Sequence, residues 1–439
     1  MTATFDPAPF LARRQRLQET MAQGVAVIPT APEQVRNRDA HFPFRSDSYF
    51  HYLSGFPEPE AVIVLVAGDA PKSILFCRDK DMEREIWDGY RYGPAAAKEV
   101  FAFDEAHSIT ELEAKLPELI ANQPLLWTAL GFDPAWDNRI TAALNVVRGQ
   151  SRAGKRAPET IRNVRAPLDA MRLVKDAFEL DIMGRAARIS AGAHRRAMQF
   201  IRPGRNEYEV EAELLHEFRR QGSPYPAYTS IVAAGAHACV LHYVENNGPI
   251  ADGDLVLIDA GCELEGYASD ITRSFPANGR FSGPQKDIYQ LVLDAQYAAE
   301  QATRPGATFM APHDAALKVL VQGLLDLKLI SGTSDEALEK ESYKRFYMHR
   351  TSHWLGMDVH DAGEYKDGEQ WKTLQAGMVL TLEPGCYIRP GDDVPEAFWN
   401  IGVRIEDDAV VTANGCELIT QDAPKTVAEI EALMQDARS

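Results

Sequence analysis

Two aspartates set the chemical problem of this sequence. Asp259 closes a short apolar run, Leu255-Val256-Leu257-Ile258, and Asp270 lies on a second strand-like run. Gly261 and Gly266 bracket a polar turn between them. The first run is short, turn-bounded and β-branched, which predicts a buried strand. A hairpin of this length brings the two carboxylates side by side at the strand's end. Like charges so placed repel steeply at low dielectric, so a shared proton or metal cations must offset them. Four other stretches carry strand signals that end in reactive groups: Leu241-His242-Tyr243, Tyr347 to Asp361, Gly377 to Gly385, and Gly402 to Asp408. In the last, Arg404 and Glu406 share one face and Val403 and Ile405 the other.

Asp259, Asp270, Glu383 and Glu406, with His353, form an oxygen-rich donor set with one nitrogen. Such a set suits two divalent cations and favours a hard ion such as manganese over thiolate-bound zinc. Two cations ~3.5–4 Å apart hold a bridging hydroxide and clamp a tetrahedral intermediate. Singly, each residue also has a plain structural reading. A strand-end Asp is a turn or cap residue, Glu383 a turn residue before Pro384-Gly385, Glu406 a salt-bridge partner, and His353 a core histidine. The spacing leaves both readings standing.

These residues need elements to position them. Up to about residue 170, strands at Gly24–Ile28, Ala61–Val66, Ser73–Cys77 and Pro124–Leu130 mix with helices at Pro9–Met21 and Glu111–Ile120, an α/β pattern. Arg148 to Pro167 is polar and basic and reads as a linker or interdomain edge. From Asp169 the texture changes to long helices, predicted over Met171–Phe200, Glu207–Gln221, Pro284–Thr303 and Pro312–Leu327, with strands between the pairs. The expected organisation is an α/β domain over residues 1–170 and an α+β domain over 171–439 that carries all five candidate ligands.

The net charge of -18 argues against a nucleic-acid partner. No apolar run approaches the ~20 residues of a membrane span, and the first residues lack the basic-then-apolar pattern of a secretory signal. The five cysteines are scattered without a C-x-x-C pair, which reads as reduced thiols in a cytoplasm.

The text around these residues resembles the pita-bread metallopeptidase family of M24 type, and within it the aminopeptidase P branch. The matching segments are Ile258-Asp259-Ala260-Gly261, Tyr267 to Arg273, Thr351-Ser352-His353-Trp354-Leu355-Gly356, Val359-His360-Asp361, Leu382-Glu383-Pro384-Gly385 and Arg404-Ile405-Glu406-Asp407-Asp408. Arg36 to Arg45, Phe50, Tyr52 to Phe56 and Pro59-Glu60-Ala61 resemble the branch's N-terminal domain. The resemblance implies a pita-bread catalytic domain and release of the N-terminal residue from peptides with proline second. It implies two metal ions, most often manganese, with Asp270 and Glu406 shared, Asp259 on one ion, and His353 and Glu383 on the other. Glu383 would shuttle the proton. His360 would bind substrate or the oxyanion, and His242 and His349 would pack around the proline ring. Arg404 and Tyr387 would form a supporting pair near Glu406, and Trp87 and Arg152 would reach an active site, in the same or a neighbouring subunit. Homodimers or homotetramers are the implied assembly.

One departure stands out: Arg350 occupies the position after His349 where the family usually has glycine, which bears on substrate preference. The nearest alternative is prolidase, restricted to Xaa-Pro dipeptides, whose text would run closer to Gly-His-His than Ser352-His353-Trp354. Methionine aminopeptidases lack so large an N-terminal domain, and creatinase-type members lack the full ligand set. A catalytically dead binding module would have lost ligands, and here all five positions are filled.

Overall fold

The computed structural model describes residues 5–438. The chain forms two compact units, Met1–Asp169 and Ala170–Ser439. Among the described residues no helix is long and apolar enough to cross a membrane.

The first unit is built on a six-stranded mixed sheet. Its strand order is Glu105–Ser108, Lys72–Cys77, Val62–Ala67, Gly24–Pro29, Leu125–Trp127 and Thr160–Arg162. Val25, Val27, Val62, Val64, Ile74 and Phe76 point to one face, against Leu112, Leu116 and Ile120 of one helix and Ile140, Leu144 and Val147 of another. Their neighbours Ala26, Ile28, Ile63, Leu65 and Leu75 are buried too. Burial on both faces explains why these strands read as continuous apolar runs rather than alternating ones. The basic stretch Arg148 to Pro167, expected as a linker or interdomain edge, supplies the sheet's edge strand Thr160–Arg162. All three of its residues are exposed, and an exposed polar edge strand carries little hydrophobic signal.

The second unit repeats one plan: a helix pair, then short antiparallel strands. Helices Ala177–Phe200 and Glu207–Arg220 precede the sheet Ile231–Ala234, Leu255–Asp259, Thr272–Pro276. Helices Gly283–Ala302 and Ala311–Asp326 precede the sheet Val379–Leu382, Asp407–Val411, Cys416–Leu418 and the ribbon Gly385–Ile388, Ile401–Arg404. Capping boxes at Asp176/Glu179, Asn206/Glu209 and Ser282/Gln285 start three of these helices. The first box overrides the continuous helix expected over Met171–Phe200. The chain breaks at Val174–Asp176 because the Asp176 side chain accepts from the Glu179 N–H, 2.9 Å, and Lys175 N–H turns away to the Gly377 carbonyl, 2.9 Å.

Candidate metal centre

The strand Leu255–Asp259 is the middle of its sheet, paired on both sides and buried through Ile258. Its turn is closed tightly. Ala260 N–H donates to the Ile271 carbonyl and Ser269 N–H to the Cys262 carbonyl. Gly261 has no room for a side chain: a Cβ there would run into the Ser269 carbonyl oxygen. The hairpin therefore returns Asp270 beside Asp259, and Tyr228 marks how close they are. Its hydroxyl lies 2.6 Å from Asp259 Oδ1 and 2.5 Å from Asp270 Oδ1.

The other residues arrive from separate elements. Glu406 follows the strand Ile401–Arg404 and is stitched to the hairpin through Glu406 N–H to the Thr272 carbonyl, 3.0 Å, and Thr272 Oγ1 to Glu406 Oε2, 2.6 Å. Glu383 follows the strand Val379–Leu382. His353 runs alongside that strand: Thr381 N–H donates to the His353 carbonyl, Glu383 N–H to the Thr351 carbonyl, and His353 N–H to Thr381 Oγ1. The segments Leu241–Tyr243 and Tyr347–Asp361, expected as strands, are turns and loop with one isolated bridge, Trp354 to Leu380. Side chains fix them instead. Buried Arg172 and Lys175 bind Asp361 at 2.6 and 2.9 Å, anchoring the loop that carries His353 and His360.

The five candidate ligands all line one cavity of about 530 Å³, which also includes Tyr228, Arg404, His242, His349, Arg350 and His360. Ligand atoms of Asp270, His353 and Glu406 fall within 4.8 Å of one another. His353 Nδ1 donates to the Trp354 carbonyl, 3.0 Å, which leaves Nε2 facing Asp270 Oδ2 and Glu383 Oε1, each at 3.6 Å. That is the tautomer a metal-ligating imidazole needs. Burial, then repulsion from Asp259 and Asp408, holds the Asp270 carboxyl well above the usual range. Burial and the charge of Asp270 do the same to Glu406. Glu383 is pushed up to about 8, by burial first and with Arg404 opposing. Four carboxylates face one guanidinium here, and the single Tyr228 hydrogen cannot serve both aspartates. Such a donor set fits divalent cations, whose charge would offset the crowding.

Arg404 is 4% exposed and fully engaged. It pairs with Asp259 Oδ2 at 2.7 Å, donates to Tyr387 Oη at 2.9 Å and to Thr272 Oγ1 at 3.1 Å. It thus reaches Glu406 through Thr272. Tyr387 donates in turn to His349 Nε2, 2.9 Å, and His349 Nδ1 donates to the Arg350 carbonyl, 2.8 Å. Burial lowers His349 to about 4, so this imidazole is neutral at pH 7. His360 is exposed, with its ring 4.2 Å from that of His353, and His242 is exposed on a turn. Trp87 and Arg152 belong to the first unit. Trp87 is 83% exposed on the helix Met82–Asp88, and Arg152 is exposed in a 3₁₀ turn; the centre itself is built of second-unit residues.

The profile of metallopeptidase family M24 matches residues 181–413, the span that holds every residue of this centre. The chain belongs to metallopeptidase family M24. The profile of the aminopeptidase P N-terminal domain matches residues 10–127 of this M24 protein. It is 44% identical to the Xaa-Pro aminopeptidase of Escherichia coli over 98% of each chain. Its structure is similar to that of Pseudomonas aeruginosa aminopeptidase PepP, with a TM-score of 0.97, 50% identity and 99% of each chain covered. Zinc-substituted E. coli aminopeptidase P in complex with product is as close in shape, at a TM-score of 0.97 and 42% identity over 100% of each chain. The pita-bread architecture expected from the motifs is thereby established.

Sequence reasoning missed Tyr228, Thr272 and His194, the last fully buried with Nε2 3.0 Å from the Ala260 carbonyl beside Asp259. Tyr228 had one available signal: it sits just before Ile231–Ala234, the strand paired to the one ending in Asp259.

Proposed function

We propose that this chain is a metal-dependent exopeptidase that releases the N-terminal residue from peptides with proline in second position. The convergence of Asp259, Asp270, His353, Glu383 and Glu406 on one cavity carries this reading. Full-length likeness to Xaa-Pro aminopeptidases supports it over the prolidase alternative. Asp270 and Glu406 are the proposed shared ligands of two cations, with Asp259 serving one and His353 and Glu383 the other. Manganese is the proposed metal, because the donors are mostly carboxylate oxygens. Bound there, the cations would polarise the scissile carbonyl and lower the pKa of the attacking water.

The chain's own groups do the rest. The nitrogen of a bond before proline has no N–H, and a site that holds the other end of the substrate does not need one. The carboxylate floor faces the free amine, which limits removal to one residue at a time. Glu383 takes the proton from the attacking water and passes it to the departing proline nitrogen, from its place in the cavity lining 3.6 Å from His353 Nε2. Neutral His349, with His242, packs against the proline ring, while His360 donates to the substrate carbonyl. The five cysteines are free thiols, which suits a cytoplasmic location. The helix Met82–Asp88 buries none of its residues and exposes Met82, Ile86 and Trp87, which suits a homodimer or homotetramer.

The test is hydrolysis of an Xaa-Pro-Xaa tripeptide and an Xaa-Pro dipeptide by manganese-loaded protein, with Glu383→Gln alongside. Turnover of the tripeptide, abolished in the variant, is expected. Activity on the dipeptide alone would favour prolidase, and near-normal rates in Glu383→Gln would remove the shuttle role.

A further inference from the structure

The cavity is electrically lopsided. Its floor holds Asp259, Asp270, Glu383 and Glu406, and the guanidinium among them, Arg404, is already bound to Asp259, Tyr387 and Thr272. Arg350 is the other cationic residue in the lining. Its side chain is exposed and forms no ion pair among the described residues. Yet it has a defined seat: its guanidinium carbon lies 5.1 Å from the centroid of the Trp371 ring. That ring approaches Phe309 at 6.3 Å, and Phe309 contacts Trp354 at 4.6 Å and Tyr365 at 4.8 Å. Trp354 is fully buried and adjoins His353, so the aromatic stack ties the cation's position to the metal centre. The backbone does the same from the other side, since the Arg350 carbonyl accepts from His349 Nδ1. Lys366 Nζ lies 4.5 Å from the same Trp371 ring and adds positive charge to this rim.

With two divalent cations held by the floor carboxylates, the charge left unpaired in the lining is the cationic rim at Arg350, which matches a ligand with a negative end. A short peptide has a free amine at one end and a carboxylate at the other, and an extended chain advances only ~3.3–3.6 Å per residue. With the amine against the floor and proline against His349, the third residue of the peptide is presented to Arg350, the neighbour of His349. A guanidinium fork matches a carboxylate in shape and charge. We propose that Arg350 selects substrates by the α-carboxylate that ends a tripeptide, so that Xaa-Pro-Xaa peptides with a free C-terminus are preferred over their amides. This rests on the Xaa-Pro aminopeptidase reading and adds a substrate class to it.

The experiment compares alanyl-prolyl-alanine with its C-terminal amide. For the wild type the acid is expected to exceed the amide about tenfold in kcat/KM, equivalent to ~1.4 kcal/mol. The difference should lie mainly in KM and shrink as salt is raised. In Arg350→Met and Arg350→Gln the acid-to-amide ratio falls to about 1–2, whereas Arg350→Lys keeps part of it. A second readout needs no turnover: prolyl-alanine should bind wild-type protein more tightly than prolyl-alaninamide by a similar factor, and Arg350→Met should erase the difference. A wild-type ratio near 1, an unchanged ratio in Arg350→Met, or a ratio that collapses in Lys366→Met instead would overturn the proposal. Failure of the wild type to cleave either peptide would fall on the enzymatic reading, and the binding comparison would still decide the role of Arg350.

Discussion

Adding one methyl group at Gly261 tests whether the hairpin sets the spacing of the two aspartates. Gly261 does not owe its identity to backbone conformation, since its φ is not positive. It is glycine because a Cβ would overlap the Ser269 carbonyl oxygen, a backbone atom that cannot swing aside. Non-bonded contact requires about 3.5 Å, so the two strands must part by more than ~1 Å in Gly261→Ala. Asp259 lies two residues before the added methyl and Asp270 directly follows Ser269, so the separation opens between the two carboxylates themselves. Forcing a methyl into a packed site costs about 1–3 kcal/mol, and a ~1 Å misplacement costs on the order of 100-fold in rate. The assay is urea unfolding together with kcat/KM on an Xaa-Pro-Xaa tripeptide in saturating manganese. Gly415→Ala is the control, because nothing lies within 4 Å of a Cβ there, and it should change stability by less than about 0.5 kcal/mol. Gly261→Ala with wild-type stability and kcat/KM within twofold of wild type would refute the reasoning.

Two further predictions concern groups behind the centre. Asp408 is buried; its Oδ2 accepts the Asp270 N–H at 3.1 Å, and burial holds its carboxyl well above the usual range. Asp408→Asn keeps the acceptor and should cost less than about 1 kcal/mol, whereas Asp408→Ala orphans the N–H and should cost about 1–3 kcal/mol in urea unfolding; equal losses would contradict this. Burial lowers His194 from 6.5 to about 4. The unfolded chain therefore binds an extra proton between those values, so stability is full above about pH 6.5 and falls as pH drops toward 4, by up to ~1.4 kcal/mol per unit. His194→Gln should flatten that slope in unfolding measurements at pH 7, 6 and 5, and an unaltered slope would place the titration elsewhere.

Much of the centre was legible because its residues sit where local patterns are strong. The apolar run into Asp259, the run into Glu383 and the alternation through Glu406 are period and burial signals, and each ends in an acidic side chain at the cavity. The loop Tyr347–Asp361 misread as strand because its apolar residues are buried by tertiary contacts rather than by a ladder. Its fixing groups, Arg172 and Lys175 against Asp361, are far away in sequence. Tyr228 was invisible for a related reason: only the folded chain brings a loop tyrosine between Asp259 and Asp270. The helix break at Val174–Asp176 was readable in principle, since Asp176 and Glu179 form a capping-box pattern that competes with the apolar periodicity.

The central claim is that these five side chains form one cradle for two cations. Manganese titration of metal-free protein by calorimetry, with the bound ions located by anomalous diffraction, tests it most directly. The account predicts two manganese ions per chain, loss of both sites in Glu406→Gln, and loss of one in Asp259→Asn. A protein that hydrolyses Xaa-Pro-Xaa peptides at full rate with no divalent ion bound at Asp259, Asp270, His353, Glu383 and Glu406 would contradict it.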